Sequence, residues 1–84
     1  MSQHGTKTVL FFGQELTIPA SHYYVACDAD GDIYSYINRP EFSKEEDEDY
    51  WVTGKPEPSM MLIKNIGPVG LDKAKKMMEC YHVR

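Results

Sequence analysis

Residues 22–38 read HYYVACDADGDIYSYIN, from His22 to Asn38, and this stretch decides the fold. Two runs rich in Tyr, Val and Ile flank an Asp-Gly pair, the strongest short-range signal for a β-hairpin. Register then decides which side chains share a face, because a slip of one residue turns a strand over. A three-residue loop, Ala29-Asp30-Gly31 with Gly31 at positive φ, groups Tyr23, Val25 and Cys27 with Ile33 and Ile37. That face is apolar apart from Ser35 and a tyrosine hydroxyl. The other face then carries Tyr24, Ala26, Tyr34 and Tyr36, with Asp28 and Asp32 at the tip. A two-residue loop would scatter the apolar residues over both faces, so the three-residue loop is the expected one.

Moving outward, Thr8–Phe12 and Glu15–Ile18 flank Gly13-Gln14, a Gly-first pair suited to a type II′ turn. This second hairpin places Val9, Phe11, Leu16 and Ile18 on one face, and Thr8, Leu10, Phe12, Glu15 and Thr17 on the other. Pro19 cannot donate to a ladder and ends it. Residues 1–6 are polar and expected to be a disordered tail. Beyond Pro40, Glu41–Asp49 holds six acids and one Lys and is expected to be a solvated acidic connector. Tyr50–Thr53 and Ser59–Ile66 read as further strands. Trp51 is expected to anchor the sheet, with a surface hot spot as the alternative. In Leu71–Tyr81, Leu71, Ala74, Met78 and Tyr81 recur at helical spacing, with Met77 beside the stripe. The expected fold class is therefore α+β: an antiparallel sheet of about five strands, including two consecutive hairpins, with one C-terminal amphipathic helix over residues 71–81 packed on one face.

Eighty-four residues make a single domain, and a chain this small is marginally stable alone, so a homodimer is conceivable. The net charge is −4, but it is unevenly spread. Residues 1–59 hold eleven acids against four Lys/Arg (−7), whereas residues 60–84 hold two against five (+3). This balance argues against direct nucleic-acid binding, which needs a basic surface. No secretory leader pattern and no apolar run of membrane length is evident. A cytoplasmic protein is expected, with Cys27 and Cys80 reduced and mainly buried.

Asp28-Ala29-Asp30-Gly31-Asp32 has the alternating acids of an EF-hand loop, but its register fails. With Gly31 in the sixth position, Ala26 and Ile37 fall where carboxylates are required. A polar hairpin tip is the expectation, and no metal or other cofactor is assigned. Neither Ser nor Cys stands in a nucleophile motif beside His4, His22 or His82, and no phosphate-cradling Gly-rich loop is present, so no catalytic residue is assigned and an enzyme is not expected. Ile66–Met77 resembles the second half of a helix-hairpin-helix DNA motif, although Gly67 and Gly70 stand one residue too far apart. Gly70–Glu79 is similar to the sheet-packing helix of the ribosomal stalk protein's C-terminal domain. Both similarities bear only on how a helix starts after glycine.

Over Tyr23–Trp51 the chain loosely resembles small accessory proteins of bacteriophages, in its Asp-Gly hairpin tip, Tyr-rich returning strand ending in Arg39-Pro40, acidic connector and Tyr50-Trp51. That resemblance implies binding of a host factor, in the host cytoplasm, or sequestering of a small molecule. From the residues themselves, aromatics supply affinity and charges steer encounter. The expected function is a non-enzymatic inhibitor or adaptor that binds a protein partner through Tyr24, Tyr34, Tyr36, Glu45, Glu46, Asp47, Glu48, Asp49 and Trp51. Such a surface could imitate nucleic-acid charge. The alternative is an oligomeric binder of a nucleotide-type ligand, with tyrosines stacking on a base and Lys73, Lys75, Lys76 or Arg39 meeting phosphate.

Overall fold

The computed structural model describes residues 5–42, 51–52 and 60–81. Its centre is the hairpin of β3 (Tyr24–Cys27) and β4 (Asp32–Tyr36), in which Cys27 pairs with Ile33 and Tyr24 with Tyr36. The loop is Ala29-Asp30-Gly31, closed by Asp28 N–H donating to Asp32 O (2.9 Å) and Gly31 N–H donating to Asp28 O (2.9 Å), with Gly31 at φ 95°. This is the three-residue register expected from the sequence. Four antiparallel strands form the sheet, in the order β7 (Met60–Asn65), β4, β3, β8 (Met78–Cys80).

Both faces of this sheet are covered, because strand alternation sends two apolar sets in opposite directions. Val25, Cys27 and Ile33 pack on one side against Phe11, Leu16, Ile18 and Met77. Phe11, Leu16 and Ile18 come from a two-stranded layer, β1 (Thr6–Phe11) and β2 (Gln14–Pro19), that joins no edge of the main sheet. Its turn is Phe12-Gly13 rather than Gly13-Gln14, with both residues at positive φ (47° and 83°), so Phe11 pairs with Gln14. The register moves by two residues, which preserves side-chain parity, and Val9, Phe11, Leu16 and Ile18 still share the inner face. Strand β1 opens at Thr6, inside the stretch expected to be a tail; residues 1–4 of that stretch lie outside the described residues. On the other side of the sheet, Ala26 and Tyr36 meet Trp51, with Tyr24, Tyr34, Phe42, Met60 and Met78 around them. Trp51 and Phe42 come from a short arm, β5 (Glu41–Phe42) paired with β6 (Trp51–Val52).

The expected helix over residues 71–81 is corrected by the structure. Helix α1 covers only Leu71–Ala74, and the chain then turns into strand β8. The last turn tightens, with Lys76 N–H donating to Lys73 O and Met77 N–H to Ala74 O, both at 3.0 Å. Met77 O then accepts from Cys27 N–H (3.0 Å), and β8 pairs with the second edge of β3. That edge would otherwise lie open inside the fold, and satisfying buried backbone groups outweighs helical propensity, which is worth only tenths of a kcal/mol per residue. The apolar periodicity fits the extended path as well: Met77 and Tyr81 reach the first core, whereas Met78 reaches the second. The layer over Val25, Cys27 and Ile33 is accordingly the β1–β2 hairpin rather than a helix.

Residues 66–70 lock onto the central hairpin's loop. Ile66 N–H donates to Gly31 O (3.0 Å), while Val69 and Gly70 N–H donate to Ala29 O (2.9 and 3.2 Å). Gly31 and Gly67 meet backbone to backbone: a Cβ built on Gly31 would lie 2.7 Å from the Gly67 nitrogen and closer still to its carbonyl. Positive φ adds a second penalty to any side chain there. Gly31→Ala is therefore expected to destabilise the domain by roughly 3 kcal/mol or more, the range of backbone-strain and overpacking changes. Gly13→Ala, which meets nothing within 4 Å, should pay only for its positive φ, about 1 kcal/mol. Urea denaturation of the two variants reads the difference.

Candidate functional site

The Tyr-bearing face of the central hairpin and the acidic run were the expected contact surface, and the structure separates their members. Tyr36 is fully buried and Trp51 is 9% exposed, whereas Tyr24 and Tyr34 are half-buried. Tyr34 and Tyr36 lie with ring centroids 6.3 Å apart, beneath the arm. As an exposed aromatic patch the expectation is corrected for Tyr36, because the arm folds back over the face that the tyrosines line, whereas Trp51 anchors the sheet, the first of its two expected roles. Glu45, Glu46, Asp47, Glu48 and Asp49 lie outside the described residues.

Two hydrogen bonds dock the arm, and a ring contact within it stiffens it. Trp51 N–H donates to Asp28 Oδ1 at the hairpin tip (2.8 Å), and its indole Nε1–H donates to Ala74 O at the end of α1 (3.0 Å). Phe42 stands edge-on to the indole at 5.3 Å. A large ring with its one polar atom satisfied is well suited to a core. The two residues that bracket the connector, Phe42 and Trp51, are thus fixed against each other and against the sheet. Trp51→Phe, which keeps a ring but loses the indole's bond to the Ala74 carbonyl, still held by Met77 N–H, is expected to cost about 1 kcal/mol, the net worth of one hydrogen bond. Trp51→Ala should cost about 3–5 kcal/mol, and chemical denaturation followed by circular dichroism measures both.

The acidic tip works as a structural element. Asp30 Oδ1 accepts from Asp32 N–H (3.1 Å), and Asn65 Nδ2 donates to Asp32 Oδ1 (2.7 Å) and to Asp30 O (3.2 Å). Among the described residues no group of three or more His, Cys, Asp or Glu could hold a metal ion. The tip does affect its neighbours. Burial raises the Tyr34 hydroxyl above its ordinary value, and Asp32, Asp28 and Asp30 raise it further.

One pairing escaped the sequence reading. His22 Nδ1 and Ser35 Oγ share a hydrogen bond of 2.6 Å, with both residues buried. The signal was Ser35 itself, the one hydroxyl of its kind on an apolar face, since a buried hydroxyl requires a partner. The pair has the composition of a nucleophilic dyad but is closed to substrate, with Ser35 at 0% exposure. The exposed lysines Lys73, in α1, and Lys75 and Lys76, just after it, lie together, but Tyr36 beneath the arm is closed to a base. Large apolar side chains that do reach the surface are Leu10, Phe12, Ile37, Met61, Leu62 and Leu71.

The two thiols differ. Cys27 is buried and Cys80 exposed, which corrects the expectation that both are buried: Cys80 lies on an edge strand rather than in a helix's packed turn. Burial pushes the Cys27 thiol up to about 11, with Asp28, Asp30 and Asp32 adding to the shift and Lys73 opposing it. A native thiol titration is expected to show one fast group and one slow group, and Cys80→Ser should remove the fast phase alone.

Neither a family model, nor a curated protein, nor a solved structure matches this chain. No helix among the described residues is long and apolar enough to cross a membrane.

Proposed function

We propose that this protein is a small non-enzymatic binding module, an inhibitor or adaptor that engages a basic surface on a host protein through its acidic connector. The observation that carries this reading is the clamping of the connector at both ends. Phe42 precedes its acids Glu45–Asp49 and Trp51 follows them, the two rings touch, and Trp51 is bonded to both the hairpin tip and the end of α1. Fixed flanks on a packed sheet are the setting in which a connecting segment carries recognition. Closing the loop beforehand also lowers the entropy cost of docking.

The aromatics contribute differently from an exposed patch. Trp51 and Tyr36 build the platform, and half-buried Tyr24 and Tyr34 border it. A non-catalytic role is supported by the enclosure of His22 and Ser35 and by the Cys27 thiol, which stays protonated near neutral pH. The net charge of −4 suits a partner of opposite sign, and a partner that itself binds nucleic acid offers such a surface.

The test neutralises Glu45, Glu46, Asp47, Glu48 and Asp49 to their amides. Unfolding should stay close to that of the parent, because the anchors Phe42 and Trp51 are retained. Association with a partner captured from host lysate should slow by about tenfold or more at low salt, with little change in dissociation rate. Binding that is indifferent to both the substitutions and the salt would remove the acidic connector as the contact.

A further inference from the structure

The β1–β2 layer is attached to the sheet in an unusual way. Among the described residues it shares no strand pairing with it, and the attachments are the apolar contact of Phe11, Leu16 and Ile18 and two polar bonds at its rim. Those are Lys64 Nζ–H to Gln14 Oε1 (3.3 Å) and Tyr81 O–H to Leu10 O (2.7 Å). The covalent link is the short connection from Ala20 to Tyr23, which contains His22; its far end is fixed to the sheet, with Tyr23 N–H donating to Tyr36 O and Tyr23 O accepting from Tyr81 N–H. An element with few backbone ties to its neighbours is the kind that opens as a cooperative unit.

His22 ties this connection to the centre of the sheet through Ser35. Lys7 reaches into the same corner from β1. Its ammonium lies 4.5 Å from the centroid of the Tyr23 ring, is buried, and has no hydrogen-bond acceptor among the described residues. Among the described residues this corner thus brings together Lys7 from the layer, Tyr23 from the connection, and Ser35 from β4, which bonds the imidazole. The charged group that bears on His22 is Lys7, and it opposes protonation. A second cation placed in this corner meets like charge in a site of low polarity, where such repulsion is weakly screened.

We infer that the Ala20–Tyr23 connection is a proton-sensitive hinge: charging His22 loosens the β1–β2 layer from the sheet as a unit, uncovering Val9, Phe11, Leu16 and Ile18 while the β3–β4 pairing persists. The direction follows from linkage. Burial, with a contribution from Lys7, holds the His22 imidazole below its ordinary value of 6.5, against the opposing effect of the Ser35 bond. In the opened layer the ring titrates near that ordinary value, so the open form binds more protons in the interval between. The closed form has its full stability above pH 6.5, loses it as pH falls through 6.5, and loses no more once pH is below the closed-state value.

Hydrogen exchange of the intact chain, corrected for intrinsic rates, tests this at pH 7.5 and pH 5.5. Protection of the β1–β2 amides is expected to fall severalfold between the two conditions, because the open form takes up the proton in this interval. Protection of the β3–β4 amides should change by less than about twofold, since their opening follows the global reaction. His22→Gln, which can still bond Ser35 but cannot take a charge, should make the layer's protection flat across this range. Lys7→Met should shrink the pH effect and raise the imidazole's titration midpoint, which is read directly by the ring's proton resonances. Equal loss of protection in both hairpins, or an undiminished pH effect in His22→Gln, would overturn the hinge. So would an imidazole that titrates at its ordinary value, and this last measurement decides the matter even if His22→Gln fails to fold.

Discussion

Gly31 lies so close to Gly67 that neither backbone could make the approach if a side chain stood between them. That contact fixes two things together. The positive φ of Gly31 sets the three-residue loop, and the loop sets the parity of every side chain in β3 and β4. The carbonyls of Ala29 and Gly31 then accept the N–H groups of residues 66–70, which delivers the chain to α1 and β8 at the correct edge. A one-residue change in the loop would send Tyr34 and Tyr36 into the first core and Ile33 toward the arm, and neither layer would fit.

Parity also explains why so short a chain builds three layers. The sheet's two faces carry different chemistry: aliphatic and thiol side chains meet the β1–β2 layer, and aromatic and methionine side chains meet the arm. Each covering layer is small, and each is secured by a few specific polar bonds at its edge rather than by strand pairing with the sheet. A small core burying little surface gains from such directional contacts, because each satisfies a polar group that burial would otherwise penalise.

Much of the fold was legible because strand parity is a robust signal. The inner face of β1–β2 was read correctly although the turn sits at Phe12-Gly13, since a shift of two residues leaves the faces unchanged. The C-terminal segment was not legible. Leu71, Ala74, Met78 and Tyr81 satisfy a helical period, yet Met77, Met78 and Tyr81 also satisfy an extended path between two cores, and only the open edge of β3 decides between them. The candidate site was legible in part for a similar reason. Tyr24, Tyr34 and Tyr36 were placed on one face, but whether that face was covered depended on the arm, whose docking rests on bonds from Trp51 to Asp28 and to Ala74. Contacts between residues so distant in sequence leave no local pattern.

The pairing of β3 with β8 sets an order on how the protein can come into being. Strand β3 is interior to the sheet, but its second neighbour comes from the far end of the described chain, Tyr24 opposite Cys80. During synthesis the first two hairpins can form early, whereas one edge of β3 stays open until β8 has left the ribosome. Closing so long a loop is entropically slow. Through that interval the nascent chain presents an unpaired, apolar strand edge, the feature that invites pairing with other chains. The finished form, by contrast, pairs both edges of that strand.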